Sequence, residues 1–373
     1  MIREFRPHSN HRRRVRAIDA CPEKGKSASV SPRARVARLV PVVICGLILS
    51  GCTTAPPRHA PQPRGQEAAL IPASMHITLS DSAVAPLRVW PAKAPMRAII
   101  LALHGFGDSR DAWEFSAPQL AASGIETIAP DARGFGETAS RGRWSSTARL
   151  VQDAREEARF IHARNPTLPL FIMGESMGGA VATILATDPQ AAPEGAGLSG
   201  VILVSPAIWR FDPFSRLVLQ GLDTIAPDWV FTGAHVPGEH IATNNIAALR
   251  RLYFDPLTLH EYRLDTLHGL VELMADGESQ ARNAQLPMLV LYGDHDQMIP
   301  APPMASFWHH LPAGVRKDLI PGGHHLLLRD RNGRNATGDI ASWILYPDQL
   351  LPSGGDAAAA AWMAGDPGHF DPE

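Results

Sequence analysis

A chain of 373 residues with 45% hydrophobic and 19% charged residues has the composition of an ordinary globular protein, long enough for one large core with insertions. Its formal net charge of −2 is unevenly placed: residues 1–51 hold 11 Lys+Arg against 3 Asp+Glu, about +8, which leaves about −10 for the remainder. An acidic body argues against nucleic acid as a partner.

The basic N-terminal segment reads as a targeting signal. Arg33, Arg35 and Arg38 precede an apolar run at 39–49, too short to span a bilayer but suited to the hydrophobic region of a signal peptide. Leu49-Ser50-Gly51-Cys52 follows at once and resembles the lipobox of bacterial lipoproteins. That resemblance implies a signal peptide over 1–51 and lipidation of Cys52, which would anchor the protein to a membrane of the bacterial envelope. Thr53 supplies no acidic retention signal, which favours the outer membrane. Translation from Val30 instead of Met1 would give a signal of more usual length. The cysteines are Cys21, Cys45 and Cys52, so a chain processed at Cys52 keeps one and forms no internal disulfide. Residues 52–72, with Pro56, Pro57, Pro61 and Pro63, form an extended linker from the anchor to the body.

The first part of the body covers residues 73–206. Residues 75–79 and 87–90 read as short strands. The continuous apolar run at 97–103 reads as a buried strand, followed by His104-Gly105-Phe106-Gly107. A helix is expected over 113–122 and a strand over 124–129. A further helix is expected over 147–162, with Val151, Ala154, Ala158 and Ile161 on one face. The apolar run 168–173 leads into Gly174-Glu175-Ser176-Met177-Gly178, and residues 179–186 read as a helix of small residues. Strands at 200–204, 287–292 and 315–320 complete the alternation. Such a pattern implies a mostly parallel sheet with helices on both faces and active residues at the carboxyl ends of strands. Residues 207–283 interrupt it. Helical patterns such as Leu264, Leu267, Val271 and Met274, together with Trp209, Phe211, Phe214, Leu217, Leu222, Trp229, Val230 and Phe231, suggest a helical cap with a lipophilic character. The second part of the body covers 284–350. From 351 to 373 the chain is Pro, Gly, Ala and Asp with few anchors, so a disordered tail is expected, with 357–363 capable of a short helix.

Gly-x-Ser-x-Gly between a strand and a helix is the setting of a nucleophile elbow. Ser176 must stand on a strained turn, and the flanking glycines let strand and helix pass close to it. The Met177 N–H, opening the helix, can serve as half of an oxyanion hole. A serine needs a base, and the base needs a carboxylate to hold it. Gly322-Gly323-His324-His325 after the last strand offers the base, and Gly293-Asp294-His295-Asp296 after the preceding strand offers the acid. The order Ser, Asp, His is the one expected for such an elbow. No zinc-ligand pattern is apparent, and Gly105-x-Gly107 lacks the rest of a dinucleotide fingerprint, so neither metal nor cofactor is called for.

Five motifs in order carry a family resemblance: His104-Gly105 after its strand, Asp131-Ala132-Arg133-Gly134-Phe135-Gly136, Gly174 to Gly178, the Gly293-x-x-Asp296 loop ending at Pro300, and Gly322-Gly323-His324-His325. From about residue 95 to 330 the chain resembles the α/β-hydrolases. More narrowly it resembles the monoacylglycerol lipase, lysophospholipase and serine aminopeptidase-like group. Asp255-Pro256-Leu257 is similar to a segment of lipase-like members. The resemblance implies an eight-stranded, mostly parallel sheet with an inserted cap. It implies Ser176 as nucleophile, Asp296 as acid with Asp294 in reserve, and His325 as base in preference to His324. Phe106 N–H would be the second oxyanion donor. His104 reads as a structural brace for that loop in preference to a second base. The implied activity is hydrolysis of a small lipid or acyl ester, monoacylglycerol or lysophospholipid, through an acyl-enzyme. An aminopeptidase of the same fold is the alternative, with Glu239, Glu261 or Glu272 to hold a substrate amine. A non-catalytic envelope lipoprotein is the other.

Overall fold

The computed structural model describes residues 69–93, 95–232 and 240–365. The signal segment, Cys52, the linker as far as residue 68 and Glu239 lie outside the described residues. In chain order the elements are β1 (Met75–Thr78), β2 (Val84–Trp90), β3 (Ala98–Leu103), α1 (Ala117–Ala122), β4 (Ile125–Pro130), α2 (Thr147–Arg164), β5 (Leu170–Glu175), α3 (Met177–Leu185) and β6 (Leu198–Val204). The interrupting segment contributes α4 (Pro213–Ile225), β7 (Val230–Thr232), α5 (Ile246–Phe254), β8 (Glu261–Arg263) and α6 (Leu264–Gln280). The chain then continues with β9 (Met288–Gly293), α7 (Ala301–His310), β10 (Arg316–Ile320), α8 (Gly333–Leu345) and α9 (Gly355–Ala364).

Eight strands form one sheet in the order β1-β2-β4-β3-β5-β6-β9-β10. The β1–β2 and β2–β4 pairings are antiparallel and every other pairing is parallel. Parallel strands lie between two helix layers, so both faces must be apolar. In β3, Ile99, Leu101 and Leu103 face one core with Val151, Ala154 and Ala158 of α2 and Val181 and Leu185 of α3. Ile100 and Ala102 face the other, with Leu120 of α1 and Ile340 and Trp343 of α8. Each such Leu or Ile contributes about 1.5–3 kcal/mol by leaving water. The helix expected at 113–122 is split. Ser109 caps a short 3₁₀ turn over Arg110–Trp113, and α1 starts only at Ala117.

The interrupting segment lies over the carboxyl ends of the strands. Its Leu259 N–H donates to Gly107 O at 2.7 Å in the loop after β3, and Leu326 N–H after β10 donates to its Ala242 O at 2.8 Å. Arg141, in the loop after β4, donates to the carbonyls of Leu257 (2.6 Å), Thr258 (3.0 Å) and Pro256 (3.2 Å). Arg251 of α5 reaches Asp111 at 3.2 Å and Glu114 at 3.3 Å. The segment is not wholly helical, because β7 and β8 pair as a short antiparallel ribbon. It is also not wholly a roof: Leu273 and Met274 of α6, with Trp209 and Phe211, pack into the main core.

Of the tail expected to be disordered apart from a short helix at 357–363, residues 351–365 carry that helix as the longer α9, and 366–373 lie outside the described residues. Gly354 at φ 77° admits α9, and Ala359 and Trp362 are buried. The Trp362 ring stands edge-on to Trp308 at 5.1 Å and tilts against Tyr292 at 5.7 Å. A run of alanines with one tryptophan shows little amphipathic periodicity, yet a single indole can bury enough area to fix a short helix. Trp362→Ala is expected to cost about 3–5 kcal/mol in urea unfolding and to open residues beyond 350 to proteolysis. Unchanged stability would show that α9 is held by something else.

Candidate active site

Ser176 occupies the turn between β5 and α3 with φ 51° and ψ −113°. A non-glycine residue in that region carries strain of about 1–3 kcal/mol and persists only where its surroundings over-determine it. Here they do. Ser176 N–H donates to Val204 O at 3.0 Å, and its carbonyl accepts from Ala180 N at 3.1 Å and Ala207 N at 2.9 Å. The flanking glycines are required by contact: a Cβ on Gly174 would strike the Gly178 carbonyl, and one on Gly178 would strike the Leu103 carbonyl. The helix begins at Met177, two residues earlier than its small-residue run suggests, so Ser176 is its N-cap residue. The first N–H groups of a helix have no partner within it, and that of Met177 is the first at the positive end of the helix dipole.

The loop after β3 lies against this turn. A Cβ placed on Gly105 would lie 3.4 Å from the Ser176 Cβ. Phe106 stacks on Tyr262 of the cap ribbon at 4.8 Å and meets Phe135 edge-on at 5.5 Å. His104 is fully buried and uses both ring nitrogens. Nε2 accepts the Ala132 N–H at 3.0 Å, so Nδ1 carries the proton and donates to Gly105 O at 2.8 Å. It ties this loop to the one after β4 and has no nitrogen left for a substrate.

Asp296 and His325 come together from the loops after β9 and β10. His325 Nδ1 donates to Asp296 Oδ2 at 2.9 Å, and both side chains are buried. The other carboxylate oxygen accepts the Met298 and Ile299 N–H groups at 2.8 and 2.9 Å, so both oxygens of Asp296 have partners. Burial works to lower the imidazole's pKa, but the Asp296 charge and hydrogen bond and the charge of Glu175 outweigh it, and the net shift is upward. The reserve residues have other partners. Asp294 accepts the Gly322 N–H at 2.6 Å, and the His324 N–H donates to Asp330 Oδ2 at 2.6 Å.

The loop that carries His325 is tied to the Ser176 turn through Glu175. This residue precedes Ser176, interacts electrostatically with His325, and accepts a hydrogen bond at 2.8 Å from Arg329, four residues beyond His325. Arg329 was missed in the sequence. Its signal is an arginine in place of a fourth leucine after Leu326-Leu327-Leu328, a position that burial makes costly without partners. Tyr262 was missed too, since nothing local marks it as the ring that covers Phe106. Of the proposed amine anchors, Glu272 is bound to Arg216 at 2.6 Å and Glu261 is exposed on β8. Among the described residues no group of acidic, histidine or cysteine side chains is arranged to hold a metal ion.

The family model for serine aminopeptidases of the S33 group matches residues 94–332. The chain belongs to this hydrolase family. It is 24% identical over 270 residues to a monoacylglycerol lipase of Mycolicibacterium smegmatis, covering 69% of this chain and 91% of that one. It is 27% identical over 220 residues to a phospholipase of Bacillus subtilis, covering 56% and 80%. The structure resembles a soluble variant of monoglyceride lipase from Saccharomyces cerevisiae solved with a substrate analogue. The TM-score is 0.62 at 21% identity, over 76% of this chain and 98% of that one. It also resembles a thermostable carboxyl esterase of Bacillus coagulans, with a TM-score of 0.60 at 20% identity over 73% and 97%. The fold is that of the α/β-hydrolases.

Because the net effect of its surroundings raises His325, its imidazole is expected to titrate with a midpoint above the ordinary 6.5. Histidine NMR of the wild type and of Asp296→Asn checks this: loss of the anion should bring the midpoint down. A midpoint that does not move would dissociate the two groups.

Proposed function

We propose that the protein is a serine hydrolase of carboxylic esters acting on monoacylglycerols or lysophospholipids. The observation that carries the reading is the buried Asp296–His325 pair, joined through Glu175 to the strained turn that presents Ser176. In this reading His325 Nε2 takes the Ser176 hydroxyl proton as Oγ attacks the ester carbonyl. The Phe106 and Met177 N–H groups receive the oxyanion, and the side chain of Phe106 is no obstacle because only its backbone is used. His325 then gives its proton to the leaving alcohol, and the acyl group stays on Ser176. Water, deprotonated by the same imidazole, releases the acid and restores the hydroxyl. Asp296 keeps Nδ1 protonated, so Nε2 is the basic nitrogen throughout.

The substrate class is supported by the relatives named as monoacylglycerol lipases and by the cap surface. On α4 Phe214 is 62%, Leu217 65% and Ile225 82% exposed, an apolar face suited to lipid chains. A lipid anchor at Cys52 would hold the enzyme at the bacterial envelope, with the outer membrane favoured. The aminopeptidase reading is weakened by the Arg216 partner of Glu272.

The test is hydrolysis of p-nitrophenyl esters from acetyl to palmitoyl by the wild type and Ser176→Ala. Turnover should peak at medium or long chains and fall by at least about 10⁴-fold in the variant. Activity confined to acetyl, or cleavage of an aminoacyl-p-nitroanilide in place of esters, would contradict the lipid-ester reading. Equal activity in the two proteins would contradict the nucleophile.

A further inference from the structure

Three buried charged residues meet behind the reacting groups. Arg329 Nη2 donates to Glu175 Oε2 at 2.8 Å and also to Asp108 Oδ2. The side chains of all three are nine-tenths or more buried. Each belongs to a different functional loop. Glu175 directly precedes Ser176, Asp108 lies two residues beyond Phe106, and Arg329 lies four beyond His325. Asp108 fixes its own loop as well, because Oδ1 accepts the Ser109 N–H at 2.8 Å and its N–H closes a turn on Gly105 O at 3.2 Å. The Glu175 Oε2 lies 4.0 Å from where a Cβ on Gly105 would be.

Stability does not account for this group. Replacing a buried ion cluster by apolar side chains of similar volume is often neutral or stabilising. The group sets two carboxylates against one guanidinium, and an unbalanced buried charge is costly: burial, with the Asp108 charge, pushes the Glu175 carboxyl up against the opposing pull of Arg329 and His325. A cation would balance it, and proton transfer from Ser176 creates one at His325. The charged groups that act on His325 are Asp296 from the β9 loop, Glu175 from the elbow and Arg329 from its own loop.

We propose that Glu175, held by Arg329 and Asp108, is a positioning residue for the reaction. It keeps the three loops in register and supplies, with Asp296, the negative charge that stabilises the His325 imidazolium. This inference rests on the proposed roles of Ser176, Asp296 and His325. The charge of Glu175 raises the His325 imidazole, so its removal lowers the pH at which the base becomes protonated. The acid limb of kcat/KM reports that protonation in the free enzyme.

The experiment uses the full chain and its Glu175→Gln, Asp108→Asn and Arg329→Lys variants. Measured across pH are kcat and KM for p-nitrophenyl butyrate and the rate of fluorophosphonate labelling at Ser176, with thermal unfolding as the control for folding. Glu175→Gln leaves Arg329 paired with Asp108. It should move the acid limb to lower pH, cut plateau kcat by about tenfold and leave KM within about twofold. Asp108→Asn should lower kcat with the limb in place, because its charge acts on the oxyanion loop instead. Arg329→Lys, a point charge without the planar fork, should fall between the wild type and Glu175→Gln in kcat. Should Glu175→Gln not fold, Glu175→Asp decides: a fall in kcat with the limb in place supports the proposal, and wild-type kcat overturns it. An unmoved limb in a folded Glu175→Gln, or equal losses in Glu175→Gln and Asp108→Asn that follow thermal stability alone, would reduce the group to scaffolding. A wild type that is not labelled at Ser176 would sink the catalytic reading itself. A labelled wild type with unaltered variants would sink this inference alone.

Discussion

The strained turn at Ser176 is the constraint on which the rest of the architecture depends. A serine with φ 51° and ψ −113° holds that conformation because hydrogen bonds with Val204 of β6, with Ala207 three residues beyond it and with Ala180 of α3 leave it no other. The close passage of β5, α3 and the end of β3 forbids a Cβ at Gly174 and Gly178. Those contacts explain the small residues of α3, which is buried along its whole length between the sheet, α2 and α6. The strain is therefore offset by a helix that has no freedom to relax it.

Around this turn the protein buries more polar groups than a core tolerates without partners, and the partners come from distant loops. His104 joins the loops after β3 and β4, Asp294 and Asp296 join those after β9 and β10, and Arg141 and Arg251 fasten the cap to the core. A buried donor or acceptor left unpaired costs about 1–3 kcal/mol, so each loop is fixed by the polar group it must satisfy in its neighbour. The carboxyl ends of the strands become a rigid platform by that route, although loops are ordinarily the mobile part of a fold.

What could be read from the sequence divides along the same line. The sheet was legible because parallel strands buried on both faces are continuous apolar runs, and the elbow because glycine is forced at fixed spacing around Ser176. Asp296 and His325 were legible as short motifs just past strands, and the structure joins them at 2.9 Å. Arg329 was not, because its partners lie 154 and 221 residues away in sequence and an isolated arginine carries no periodic signal. The β7–β8 ribbon was missed because three-residue strands are too short to show alternation. In the tail only a short helix at 357–363 was legible, because composition averages over residues, whereas α9 is held largely by one indole against Trp308 and Tyr292.

The central claim is that Ser176 carries the acyl group between two half-reactions. It is tested most directly by mixing the enzyme with a monoacylglycerol, quenching in acid within milliseconds and locating any adduct by peptide mass mapping. The account expects a mass increase of one acyl chain on the peptide that contains Ser176, absent in Ser176→Ala. An acyl group on another residue, or rapid hydrolysis with no acyl-enzyme at any quench time, would contradict it.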